Sequence, residues 1–125
     1  MHRFLLDTCV LLWWLADDDR LGKSSKKMIA DPNNHLFVSA AVPWEIGIKR
    51  VLGKLRAPVN IESIIDESDF EKLSINCSHA ENAAQLPQYH KDPFDRIMIA
   101  QAQAERLAIM TSDDIFTRYD INVIN

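Results

Sequence analysis

The sequence predicts one α/β domain of three layers, a central, mostly parallel sheet with helices on both faces. Three observations predict it. Short apolar runs such as RFLL (3–6), HLFVSA (35–40) and LAIMT (107–111) alternate with longer segments at helical spacing. The chain has 125 residues, 47% of them hydrophobic, which is enough for one proper core. No internal repeat, low-complexity tract or linker interrupts it, so residues 1–125 are read as a single domain.

Each element has a local reason. Residues 3–6 form a strand that stops at Asp7, and the dense apolar stretch 8–15 lacks the alternation of a half-buried strand, so it reads as a buried helix. Residues 21–30 (LGKSSKKMIA) form a more exposed helix, and DPNN (31–34) turns the chain into the second strand at 35–40. Pro43 suits the first turn of the next helix, Trp44, Ile48, Val51 and Leu52 give it an apolar face, and Gly53 ends it. Asn60 caps a short helix carrying Ile61, Ile64 and Ile65, and FEKLSI (70–75) alternates as a strand. Ser78 with Glu81 fits a capping box opening a helix that Pro87 ends. Asp92 before Pro93 opens a long helix through Phe94, Ile97, Met98, Gln101, Ala102 and Glu105. Residues 107–111 are a buried strand, 114–119 a short helix and 121–124 an edge strand.

Composition excludes several classes. MHRFLL superficially resembles a signal peptide, but Asp7 breaks its apolar region and no small-residue cleavage site follows. Residues 8–16 are far short of the roughly 20 apolar residues that span a bilayer. The expectation is a soluble, intracellular and cytoplasmic protein. Cys9 and Cys77 have no CxxC partner or neighbouring His ligands and read as buried free thiols. A net charge of −4 argues against broad coating of nucleic acid, yet leaves room for an acidic metal site that cuts it.

The chemistry concentrates in the acids. An ionised Asp7 inside FLLDTCVLLWWL costs several kcal/mol unless it is paired, ligated or at the edge of the core. In a parallel sheet, sites lie beyond the carboxyl ends of the strands. Asp7 follows the first strand, Asp113 the LAIMT strand, and Glu45 sits in the first turns of the helix after the second strand. Asp95 lies in the first turn of the long helix, with Asp92 and Asp114 as helpers. Singly, each has a local explanation. Asp7 and Asp113 can cap helices, Glu45 can pair with Lys49 at i+4, and Asp95 can cap reciprocally with Asp92. Those local explanations leave the shared edge unaccounted for. Clustered carboxylates repel unless protons or a cation neutralise them. Oxygen donors without Cys or His suit Mg²⁺ or Mn²⁺ rather than Zn²⁺. Metals so held orient a phosphate, activate water and stabilise the leaving oxygen. The residues thus read as a centre for metal-dependent phosphoester hydrolysis.

The blocks LLDTCVLLWWLADDDRL, VSAAVPWEIGIKRVLGKL, HKDPFDRIMIAQAQAE and IMTSDDIF, in this order over nearly the whole chain, resemble a PIN domain. The resemblance is nearest to the VapC-like ribonuclease toxins of type II toxin–antitoxin pairs. It implies a sheet of order 3-2-1-4-5 and an acidic cluster binding Mg²⁺ or Mn²⁺ that cuts RNA, leaving a 5′-phosphate and a 3′-hydroxyl. Residue by residue it implies that Asp7, Glu45, Asp95 and Asp113 are the metal-binding and catalytic acids, with Asp92 a rival or helper of Asp95 and Asp114 a substitute for Asp113. It further implies a homodimer silenced by a cognate, VapB-like antitoxin lying across the site.

Around these acids, Lys49, Arg50, Lys54, Arg56, Lys91 and Arg96 are either phosphate contacts or a solvated surface. Trp13 and Trp14 stack bases or pack. Thr8, Thr111 and Ser112 can orient carboxylates. His90, a loop residue with no visible partner, stays outside the site. Two other functions compete. A phosphatase of the haloacid-dehalogenase kind would use Asp7 as nucleophile but needs a second Asp two residues on, where Cys9 stands. A non-catalytic PIN-shaped binding module would not need all four acids.

Overall fold

The computed structural model describes residues 1–125. The strands are β1 (Arg3–Leu6), β2 (His35–Ser39), β3 (Glu71–Leu73), β4 (Ala108–Met110) and β5 (Val123–Ile124). They form one sheet of order β3-β2-β1-β4-β5, and every neighbouring pair is parallel. The helices are α1 (Thr8–Leu15), α2 (Lys23–Ala30), α3 (Ala41–Val51), α4 (Ile61–Glu67), α5 (Cys77–Gln85) and α6 (Pro93–Glu105), with a 3-10 helix at Asp114–Arg118. The fold class and the strand order agree with those expected.

Central β1 shows why the sheet needs cover on both sides. Phe4, Leu5 and Leu6 are all fully buried, and successive side chains of a strand point to opposite faces. A sheet flanked this way aligns the carboxyl ends of its strands along one edge, where Asp7 extends β1 by donating its N–H to the Met110 carbonyl at 3.0 Å. No helix is long and apolar enough to cross a membrane.

Helix boundaries follow cap chemistry. Asp92 is the N-cap of α6 and accepts from the Phe94 and Asp95 amides at 2.8 and 3.2 Å, with Pro93 at N1. At the end of α3 the Gly53 amide bonds the Arg50 carbonyl and the Lys54 amide bonds Lys49, a Schellman closure. Gly53 sits there at φ +71°, a conformation its missing Cβ permits.

Three local expectations are corrected. The capping box of α5 is built by Asn76 and His79, not by Ser78 and Glu81; Asn76 Oδ1 accepts from the His79 amide at 2.8 Å while His79 Nδ1 accepts from the Asn76 amide. Asn is at least as good an N-cap as Ser, and starting two residues earlier turns His79 into the interior. The apolar stripe expected to bury α3 faces outward: Trp44, Ile48, Val51 and Leu52 are exposed, whereas Ala41, Val42, Glu45 and Ile46 are buried. Cys9 and Cys77 are both exposed rather than buried, Cys9 on the outer side of α1 and Cys77 at the first position of α5.

Candidate active site

The edge where β1, β4 and the starts of α1, α3 and α6 meet is lined by acids. Asp7 is 8% exposed, and both its oxygens are engaged. Oδ1 accepts from the Thr8 amide at 2.7 Å, which caps α1, and Oδ2 accepts from the Thr111 hydroxyl at 2.7 Å. Helix capping and a role in the cluster are therefore compatible for Asp7, since one oxygen serves each direction.

Glu45 is 4% exposed despite its charge. Its Oε1 accepts from the Thr8 hydroxyl at 2.6 Å, and its Oε2 pairs with the Lys49 ammonium one turn on. The pair expected on the surface thus sits at the edge of the core, where a lost partner costs more than in water. Thr8 bridges α1 to α3 and fixes the Glu45 side chain, while Thr111 does the same for Asp7.

Asp95 stands on the first turn of α6, its side chain 14% exposed. Asp113 follows β4, caps the 3-10 helix by accepting from the Ile115 amide at 3.0 Å, and keeps 42% of its side chain in solvent. The Asp113 amide in turn donates to Thr111 Oγ1 at 3.1 Å, so one threonine orders two of the acids. Asp92 lies beside Asp95 but spends its Oδ1 on capping α6. Asp114 is exposed at the first position of the 3-10 helix.

Electrostatics report the same proximity. Burial pushes Asp95 up to about 8, and the charges of Asp7, Asp92, Glu45 and Asp113 add to the rise. Asp7 is also raised, chiefly by burial, against the pull of its bonds from Thr111 and Thr8 and with Glu45 and Asp113 adding to the rise. Lys49 is held above its ordinary value, first by its bond to Glu45 and further by Asp92 and Asp95. The ionised forms of Asp7 and Asp95, disfavoured first by burial and then by neighbouring charge, are stabilised by any cation placed among them. Hard oxygen donors match Mg²⁺ or Mn²⁺, so the donor set fits such an ion.

Two residues differ from their expected roles. His90 belongs to the cluster: its Nε2 lies 2.6 Å from Asp95 Oδ2 and 3.7 Å from Asp113 Oδ2, and the three potential ligand atoms fall within 4.8 Å of one another. No periodicity marks a loop residue; only its position two before the N-cap of α6 was visible. Arg96, considered as a phosphate contact, is buried, and its guanidinium donates to the carbonyls of Ala83, Leu86, Pro87 and His90 at 2.8–3.0 Å. It ties the end of α5 and the following loop to α6. Arg50 donates to the Pro58 carbonyl at 3.1 Å, and Trp13 packs half-buried beneath Arg20.

Comparison with known proteins bears on the fold. The sequence matches the PIN domain family over residues 4–122. No curated protein matches it. Among solved structures it is similar to VapBC2 from Rickettsia felis bound to a promoter DNA fragment, at 17% identity and TM-score 0.72 over 98% of each chain. It is similar to a toxin–antitoxin complex from Klebsiella pneumoniae at 22% identity and TM-score 0.67, over 98% of this chain and 96% of that one. A third, VapBC-5 from Mycobacterium tuberculosis, shares 18% identity and TM-score 0.59 over 100% and 99% of the two chains. With its parallel five-stranded sheet and a match spanning nearly its whole length, the chain belongs to the PIN domain family.

Proposed function

We propose that the chain is a metal-dependent endoribonuclease acting as the toxin of a toxin–antitoxin pair. Asp7, Glu45, Asp95 and Asp113 hold one or two Mg²⁺ or Mn²⁺ ions, with Asp92 and Asp114 as helpers. The observation that carries the reading is the linkage of these acids at one sheet edge: Thr8 bonds both Asp7 and Glu45, Thr111 bonds both Asp7 and Asp113, and His90 Nε2 lies 2.6 Å from Asp95 and 3.7 Å from Asp113. Buried acids at this density are costly for a fold and useful for binding a cation.

When bound, the metal lowers the pKa of water and offsets charge on the scissile phosphate. The protein's own groups do the rest. Thr111 and Thr8 fix the carboxylates of Asp7 and Glu45 in one geometry before substrate arrives. Lys49, held at Glu45, is an ammonium at the rim that can take a phosphate oxygen. Burial keeps bulk water from screening these charges.

The remaining parts of the reading follow the PIN family and the complexes of its structural neighbours. The partners are RNA, a cognate antitoxin and a second copy of the chain, and the working compartment is the cytoplasm. Exposed Trp44, Val51 and Leu52 on α3 supply apolar surface for a protein partner. A phosphatase nucleophile at Asp7 is disfavoured because that chemistry needs a second Asp two residues on, where Cys9 stands.

The test incubates the purified, antitoxin-free chain with a pool of structured and single-stranded RNAs. Mn²⁺ or Mg²⁺ is present, then EDTA, beside Asp7→Asn. Cleavage that requires both metal and Asp7 is the expected result. Cleavage untouched by EDTA or by the substitution would overturn the proposal.

A further inference from the structure

His90 meets the acids with one ring nitrogen, and its other nitrogen decides what it does there. Nδ1 lies 3.4 Å from the backbone amide of Asp92, a group that only donates. A neutral imidazole has one donor and one acceptor nitrogen. With Nδ1 accepting, the proton belongs on Nε2, the atom 2.6 Å from Asp95 Oδ2. The opposite tautomer would set an Nδ1–H against the Asp92 N–H, donor against donor. A bare Nε2, the form that ligates metals, is therefore the disfavoured one.

The loop that carries the ring is held by buried neighbours, one of which packs against the ring itself. The His90 amide donates to the Tyr119 hydroxyl at 2.8 Å, which itself donates to the Pro87 carbonyl at 2.7 Å. Arg96 donates to the His90 and Pro87 carbonyls, each at 3.0 Å. Phe116 packs edge-on against the imidazole at 5.9 Å between centroids. Arg96, Phe116 and Tyr119 are all buried, and they come from α6, the 3-10 helix and the residue after it. An otherwise irregular loop is thereby fixed on three sides.

We infer that His90 is a positioning residue for Asp95: its Nε2–H holds Oδ2 and leaves Oδ1 as the oxygen offered to the divalent cation. This rests on the metal reading of the site proposed above. A carboxylate anchored by one oxygen presents the other in a single orientation, as hydrogen-bonded metal ligands do. His90 itself stays outside the ligand set.

Two measurements on the full chain test this. In EDTA, long-range ¹H–¹⁵N correlation spectra identify which nitrogen of His90 carries the proton; Nε2 is expected, and a bare Nε2 would overturn the assignment. Mn²⁺ binding is then followed by calorimetry for wild type, His90→Ala and His90→Gln, with circular dichroism showing that each is folded. His90→Ala is expected to bind about 10–100-fold more weakly, and His90→Gln, whose amide can donate from a similar place, within about threefold of wild type. Equal affinity for wild type and His90→Ala, or a Gln variant as weak as the Ala variant, overturns the role of His90 alone. A wild-type chain that takes up no Mn²⁺ overturns instead the metal reading beneath it.

Discussion

Thr111 donates a 2.7 Å hydrogen bond to Asp7 from 104 residues away, closing the ends of β1 and β4 around one carboxylate. The same hydroxyl oxygen accepts from the Asp113 amide. A single side chain thus couples two acids of the cluster. Thr111→Val keeps shape and removes the donor. Leaving a buried carboxylate short of a partner should cost about 1–3 kcal/mol in a denaturant melt. Mn²⁺ affinity should fall roughly tenfold or more in the same protein, since the orientation of Asp7 is lost. An unchanged affinity would show that Asp7 needs no such support.

Asp95 gives the metal-free chain an inverted pH response. In the unfolded chain it ionises near its ordinary 3.8, whereas in the fold burial and the neighbouring acids hold its proton up to about 8. Between these values the native state binds the extra proton, so stability falls as pH rises, by up to about 1.4 kcal/mol per pH unit. Below pH 4 both states are protonated and the penalty is absent. Thermal melts in EDTA from pH 4.5 to 8.5 should show this decline. Asp95→Asn should flatten it, and Mn²⁺ should restore stability at the alkaline end. A melting temperature that climbs across the window would contradict it.

Arg96 is a structural cation. Its guanidinium satisfies four backbone carbonyls behind α6, and no carboxylate meets it. Arg96→Met removes four hydrogen bonds of a buried guanidinium and strips the His90 carbonyl of its donor, which should lower stability by about 3 kcal/mol or more. The salt dependence of RNA binding, measured at a temperature where the variant is folded, should be unchanged, since no phosphate contact is lost.

Lys49 and a bound cation compete for Glu45. Lys49→Met removes a positive charge from the rim, so Mn²⁺ should bind several-fold more tightly by calorimetry. RNA should bind more weakly, with a salt slope reduced by about one ion. Weaker binding of both would mean that Lys49 mainly holds Glu45 in place.

The start of α5 separates two candidate caps. Asn76→Ala should cost about 1 kcal/mol, because the Asn76–His79 capping box is lost. Ser78→Ala, on the exposed first turn, should stay within about 0.5 kcal/mol of wild type. Chemical denaturation of the two variants side by side decides it.

What the sequence determined by itself was the order and type of the elements, because the signals for these are local. Period, caps and breakers act within a turn or two: Asp92–Pro93 opens α6, Gly53 closes α3, and the apolar run before Asp7 ends where the sheet ends. The placement of Asp7, Glu45, Asp95 and Asp113 was legible for a related reason. Asp7 and Asp113 come after β1 and β4, and the residue after a parallel strand has one edge to occupy; Glu45 and Asp95 sit in the opening turns of helices that start at that edge.

Tertiary structure decided everything that depended on distance along the chain. Which stripe of α3 turned inward was decided by packing across the fold: Ala41, Val42, Glu45 and Ile46 are buried, while Trp44, Val51 and Leu52 stayed outside. Arg96 found its partners in backbone carbonyls, which every residue carries and no residue type announces. His90 joined Asp95 only because Tyr119, 29 residues on, and Phe116 fix the loop that bears it. The periodic pattern marks elements; the contacts between loops and buried polar groups exist only once the chain has closed on itself.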